Sequence, residues 1–128
     1  MSERPPDIVL LAAEWRTRAL VRAQLIEDGF EVVATDAWPM MRSQLRPGMK
    51  PKLAIVDLSG LPSPERVLND LRMLMKPARV LVLAAMGTVA PPDIERLGFG
   101  VRPRPFAVSD VVRAAANAIR TAQVSPEA

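Results

Sequence analysis

Five short apolar runs, each followed by an amphipathic stretch, constrain this chain more than any other feature. They are Ile8 to Ala12, Phe30 to Ala34, Leu53 to Val56, Val80 to Ala84 and a weaker run from Phe99 to Arg102. The first, third and fourth are apolar at every position, which is how strands of a parallel sheet read when helices cover both faces. The second alternates and the fifth is cut by Pro103, so both belong nearer a sheet edge. Strict strand–helix alternation five times over predicts an α/β fold, a doubly wound, five-stranded parallel sheet of (βα)5 type. In such sheets the working residues lie outside the carboxyl ends of the strands.

The intervening segments read as helices. Arg16 to Glu27 carries Leu20, Val21 and Leu25 as its apolar face, with Gly29 as its stop. Trp38 to Leu45 carries Trp38, Met41 and Leu45, with Asp36 upstream as a cap and Pro47-Gly48 as its end. Pro64 to Met75 opens on a proline, where a missing N–H costs nothing, and carries Val67, Leu68, Leu71 and Leu74. Pro91 to Leu97 allows only a short helix. Val108 to Ala122 carries Val108, Val111, Val112, Ala115 and Ile119, with Ser109 or a residue before it as cap. The chain reads as one domain over 1–128, with a core of about 7–122 and flexible termini, the tail from Gln123 being polar.

Composition removes whole classes of chemistry. The 128 residues include no Cys and no His, which excludes disulfides, thiolate metal sites, zinc fingers and every Ser–His or Cys–His machine. Any catalysis would fall to carboxylates, hydroxyls, Arg, Lys or backbone groups. Seventeen basic against fourteen acidic residues leave a net charge of +3, and the arginines are scattered singly, so a nucleic-acid partner is not indicated. No apolar run is long enough to span a membrane, and Met1 to Asp7 lacks the apolar core of a signal peptide, so the expectation is a cytoplasmic protein. No P-loop motif occurs, and Gly98-Phe99-Gly100 follows no strand and is not a dinucleotide loop. The turn after the first strand lacks the hydroxyls that a flavin phosphate site would want.

The residues at the carboxyl edge carry a resemblance. "IVLLAAEWRTRALVRAQLIEDGFEVV", "PKLAIVDLSGLP" and "RPF" at Arg104-Pro105-Phe106 resemble the receiver domains of two-component response regulators, from Asp7 to about Ala122. The resemblance implies the flavodoxin-like receiver fold. It places Asp57 at the phosphoacceptor position.

At every other site position the chain departs from the pattern that the resemblance implies. The acidic pair that holds Mg²⁺ corresponds to Ala12 and Ala13, the phosphoryl-binding Thr or Ser to Ala84, and the cationic Lys to Arg104. The aromatic residue of the fifth strand corresponds to Val101, and the proline after the phosphoacceptor comes one residue late, at Pro62. A divalent metal needs several hard oxygen ligands, and Asp57 with at most Glu14 is a poor set. The expectation is therefore no cofactor, with Mg²⁺ only if the site works after all, and a direct Asp57–Arg104 ion pair. Trp15 beside this site is expected either to fill space left by the alanines or to pack under the first helix.

The leading reading is a non-enzymatic, receiver-like signalling module, degenerate at the phosphorylation site and acting through protein contacts. Its expected interaction face is Arg96, Val101, Arg102, Arg113 and Arg120, which would suit an acidic partner. The partner would be a sensor kinase, an effector domain or a second copy in a homodimer. The alternatives are a genuine phosphoacceptor modified at Asp57, the N-terminal atypical receiver of a larger regulator or pilus-assembly ATPase, and a nucleic-acid-binding regulator.

Overall fold

The computed structural model describes residues 4–123 and contains one five-stranded, all-parallel sheet in the order β2-β1-β3-β4-β5. The strands are β1 (Ile8–Leu11), β2 (Val32–Thr35), β3 (Leu53–Asp57), β4 (Val80–Leu83) and β5 (Gly100–Arg102). The helices are α1 (Trp15–Glu27), α2 (Trp38–Ser43), α3 (Pro64–Leu74), α4 (Pro91–Arg96) and α5 (Val108–Gln123). The expected edge positions of β2 and β5 hold. Every residue of β1 and β3 is buried, whereas β2 is half-buried throughout and the ends of β5 are exposed.

Strand parity divides the core in two. Ile8, Leu10, Leu53, Ile55, Leu81 and Leu83 face Val21 and Leu25 of α1 and Val111, Val112, Ala115 and Ile119 of α5. The alternate residues Val9, Leu11, Ala54, Val56, Val80 and Val82 face α2, the turn after it, α3 and α4 through Met41, Leu45, Val67, Leu68, Leu71 and Ile94. The amino ends of three strands converge on Asp7. Its carbonyl accepts the N–H of Lys52 and Leu53, and one carboxylate oxygen accepts the N–H of Glu31 at 2.8 Å. The other lies 3.3 Å from the Lys52 ammonium.

The structure corrects several details. Leu20 is 51% exposed and does not belong to the apolar face of α1. β2 begins two residues later than its apolar run, because Phe30 closes α1. The N–H of Phe30 reaches the carbonyl of Leu25 and that of Gly29 reaches Ile26, with Gly29 at φ +97°. This is the Schellman arrangement. Asp36 does not cap α2, whose N-cap is Ala37, and α2 ends at Ser43, well before Pro47. At α5 the carbonyl of Ala107 accepts the first helical N–H groups, and Asp110, not Ser109, reaches back to the Ala107 N–H at 3.3 Å. A single 3-10 turn at Pro77–Arg79, which no sequence pattern marked, leads into β4. The polar tail after Gln123 lies outside the described residues.

Candidate functional site

Asp57 is the last residue of β3 and the one buried polar or charged side chain among the described residues, with no exposed surface. Burial of an unpartnered carboxylate is costly, so its hydrogen bonds decide what it is. One oxygen accepts the backbone N–H of Ser59 at 2.9 Å. The other accepts a guanidinium N–H of Arg104 at 2.9 Å. The expected Asp57–Arg104 ion pair is thus formed across the carboxyl ends of β3 and β5. Burial nonetheless pushes the Asp57 carboxyl above its ordinary value of 3.8, because desolvation outweighs the Ser59 N–H and the Arg104 charge, and the charge of Glu14 adds to the rise.

The surrounding loops hold this pair in place. Leu58 to Leu61 form a turn in which the Leu61 N–H returns to the carbonyl of Leu58 at 3.2 Å and Gly60 adopts φ +71°. This turn presents the Ser59 N–H to Asp57. The Arg104–Pro105 peptide bond is cis, and the Arg104 guanidinium lies 4.9 Å from the centroid of the Phe106 ring. Cation–π contact and carboxylate together fix a side chain that is still one-third exposed.

The remaining positions supply no further side-chain oxygen at Asp57. Ala12 and Ala84 are buried. The backbone N–H of Ala84 is spent on the carbonyl of Arg102 at 2.9 Å. Glu14 is the N-cap residue of α1 and accepts the Thr17 hydroxyl at 2.7 Å. Arg18 donates to the carbonyl of Ala12 at 2.8 Å and at longer range to that of Ala13. The loop after β1 is therefore braced by a cation where the resemblance implies two carboxylates. No group of three metal-ligating side chains occurs among the described residues. With both Asp57 oxygens engaged and Glu14 turned to Thr17, the residues present do not fit a Mg²⁺ site.

Trp15 neither fills the alanine space nor packs under α1; it is 69% exposed. Val101 packs against the α2–α4 side of the core. The arginines of the expected interaction face divide. Arg96 pairs with Asp93, and Arg113 pairs with Asp110 at 3.4 Å. Arg120 bonds the Asn117 side-chain oxygen. Arg102 has no ion pair among the described residues. It lines an open cleft of about 500 Å³ between β5 and α5, floored by Leu81, Ala114 and Ala118.

No family model matches the chain, and no curated protein is similar to it in sequence. Solved structures share its fold closely. A response regulator receiver domain protein from Clostridium thermocellum superimposes with a TM-score of 0.75 at 20% identity, over 91% of this chain and 96% of that one. NtrX from Brucella abortus gives 0.78 at 20% identity over 96% of this chain, which corresponds to 28% of NtrX. An adenylate cyclase structure from Rhodopirellula baltica gives 0.74 at 20% identity, over 99% of this chain and 96% of that one. The fold is that of response regulator receiver domains. No helix among the described residues is long and apolar enough to cross a membrane.

Proposed function

We propose that this chain is a receiver-like signalling module, one unit from about residue 7 to 122, that acts by binding other proteins without phosphorylation of Asp57. The observation that carries this reading is the state of the Asp57 carboxylate. It is buried, and its two oxygens are taken by Ser59 and Arg104. Phosphoryl transfer is mostly positioning and charge neutralisation. Methyl groups at positions 12, 13 and 84 offer neither metal ligands nor a hydroxyl. One guanidinium already neutralises the carboxylate, so an incoming phosphoryl group would have to displace its own counter-charge. The protein works in the cytoplasm and catalyses no reaction of its own.

The contact face in this reading is β5 with α4 and α5, where Arg102 and Arg120 have no ion pair among the described residues. Arg96 and Arg113 contribute less to an acidic partner than their number suggests, because each already has a carboxylate beside it. That NtrX carries the same fold in little more than a quarter of its length supports the related reading of a module within a larger regulator.

The test is intact mass after incubation with acetyl phosphate and Mg²⁺, beside Asp57→Asn. The expected result is no gain of mass in either protein under conditions that modify an ordinary receiver. A gain of one phosphoryl group that disappears in Asp57→Asn would establish the phosphoacceptor reading instead.

A further inference from the structure

A cavity of about 330 Å³ opens beside the Asp57 turn, on the α2–α3 side of the sheet. Its walls come from the loops after β1, β2 and β3 and from the first turns of α2 and α3. This is the topological switch point of the sheet. The chain leaves β1 toward β2 and leaves β3 toward β4, in opposite directions, and the loops part between them. Ligands of open α/β sheets bind in the crevice that this parting creates.

We infer that this cavity binds a small aromatic carboxylic acid. The size is right: small-molecule sites begin at about 300 Å³. The volume equals that of roughly eleven liquid waters at about 30 Å³ each, enough for a fused bicyclic ring. The walls are apolar and include one aromatic face, with Trp38, Leu61 and Val67 forming the body of the cavity. Small residues keep it open. Gly60 and Ala13 stand side by side on one wall, where a Cβ built on Gly60 would lie 3.6 Å from the Ala13 Cβ, in ordinary contact. Ala13 also stands where the receiver resemblance implies a carboxylate. Its methyl group leaves an apolar wall where a charge would have stood.

The polar groups of the lining select the head group. Arg66 and Asp36 both border the cavity, and neither has an ion pair among the described residues. Arg66 offers the planar fork that matches a carboxylate in two parallel hydrogen bonds, while Trp38 offers the stacking face. The amino end of α3, at Ser63 and Pro64, adds its partial positive charge on the same side. Asp36 opposes a second negative charge, which favours a monoanion over a phosphate, and it can accept a ring N–H. The class that satisfies all of these groups is an aromatic monoacid with a ring N–H donor. This inference does not rest on the absence of phosphorylation at Asp57, and the mass measurement and the titration below succeed or fail separately.

The probe is indole-3-carboxylate, with the neutral indole-3-carboxamide as its comparison, titrated into ¹⁵N-labelled full chain. Saturable shifts are expected at the Trp38 indole N–H and at the amides of Ala37, Gly60 and Val67. The carboxamide should bind about tenfold more weakly, the loss of one charge-assisted contact. Arg66→Gln, on the exposed side of α3, should weaken the acid to the level of the carboxamide and leave the carboxamide unchanged. Ala13→Leu should abolish both while the thermal transition persists; if that variant fails to fold, Arg66→Gln alone decides. The absence of saturable shifts at millimolar probe, shifts centred elsewhere, or shifts indifferent to Arg66→Gln would each overturn the assignment.

Discussion

At the scale of single residues, the Asp57–Arg104 pair has two unequal members. Asp57 is wholly buried and Arg104 is one-third exposed. Removing the arginine leaves a buried charge with one hydrogen bond, whereas removing the charge from Asp57 leaves an arginine that water can reach. Arg104→Ala should therefore destabilise the protein by about 1–3 kcal/mol, read as a lower urea midpoint at pH 7. Arg104→Lys should recover part of the loss, because an ammonium restores the charge without the guanidinium's stacking on Phe106. Equal losses in the two variants would argue that only the guanidinium geometry matters. Asp57→Asn should behave oppositely. The folded state holds the Asp57 proton more tightly than the unfolded chain does, since burial raises its pKa above the ordinary 3.8. The stability it contributes is thus full below that value and is lost as pH rises through the folded pKa. Asp57→Asn should be at least as stable as the parent at pH 7, with the difference closing as pH falls toward 4; a parent that gains on the variant as pH rises would contradict this. These two residues were legible in the sequence because both lie at the carboxyl edge of the sheet, where the receiver resemblance singled them out and the loss of the acidic pair left them to balance each other. Arg18, Trp15 and Leu20 were not. An arginine's reach to a backbone carbonyl and a tryptophan's exposure depend on the direction of a side chain, which periodicity does not encode.

At the scale of elements, the boundaries that could be read were those written in backbone chemistry. Gly29 ended α1 as expected, because a left-handed residue is needed where the Schellman bonds close. The start of β2 was misplaced because Phe30 looks like a strand residue but spends its N–H on the preceding helix. Apart from the Asp57–Arg104 pair, packing contacts between elements were not legible. Gly98 also adopts a left-handed conformation, at φ +92°, yet its surroundings differ from those of Gly29. A Cβ on Gly29 would meet nothing within 4 Å, whereas one on Gly98 would lie 2.9 Å from the Pro77 Cβ. Gly29→Ala should therefore cost only the backbone penalty of about 1–2 kcal/mol. Gly98→Ala should cost more, since the rigid proline ring of the 3-10 turn must also shift. Comparison of the two melting temperatures tests this, and equal losses would mean that the turn before β4 yields easily. The cavity between α2 and α3 belongs to the same class of feature. Trp38, Ala13 and Arg66 come from three segments, and only their packing shows that they share one space.

At the scale of the whole molecule, stability is distributed unevenly across the sheet, and the Asp57–Arg104 pair spans that difference. β1, β3 and β4 are buried along their whole length, whereas β5 is three residues long with exposed ends. Regions with few buried apolar contacts open locally at lower free energy than the core. Amide hydrogen exchange should therefore be slowest in β1, β3 and β4 and faster in β2 and β5. Arg104 lies two residues after the end of β5 and ties the β5–α5 connection to the end of β3 through one side chain. Cutting that tie should act most strongly nearby. In Arg104→Ala, the amides of β1 should quicken only by the factor that the lower global stability sets, while exchange at Ser59, whose N–H bonds Asp57, and around Phe106 and the start of α5 should quicken further. If every protected amide instead accelerates by the same factor, the pair supports global stability and does not restrain this face. A local response has a functional meaning. The face formed by β5 and α5 would then be held in one arrangement by a permanent ion pair, and a partner binding there would meet a surface already organised without a phosphoryl group.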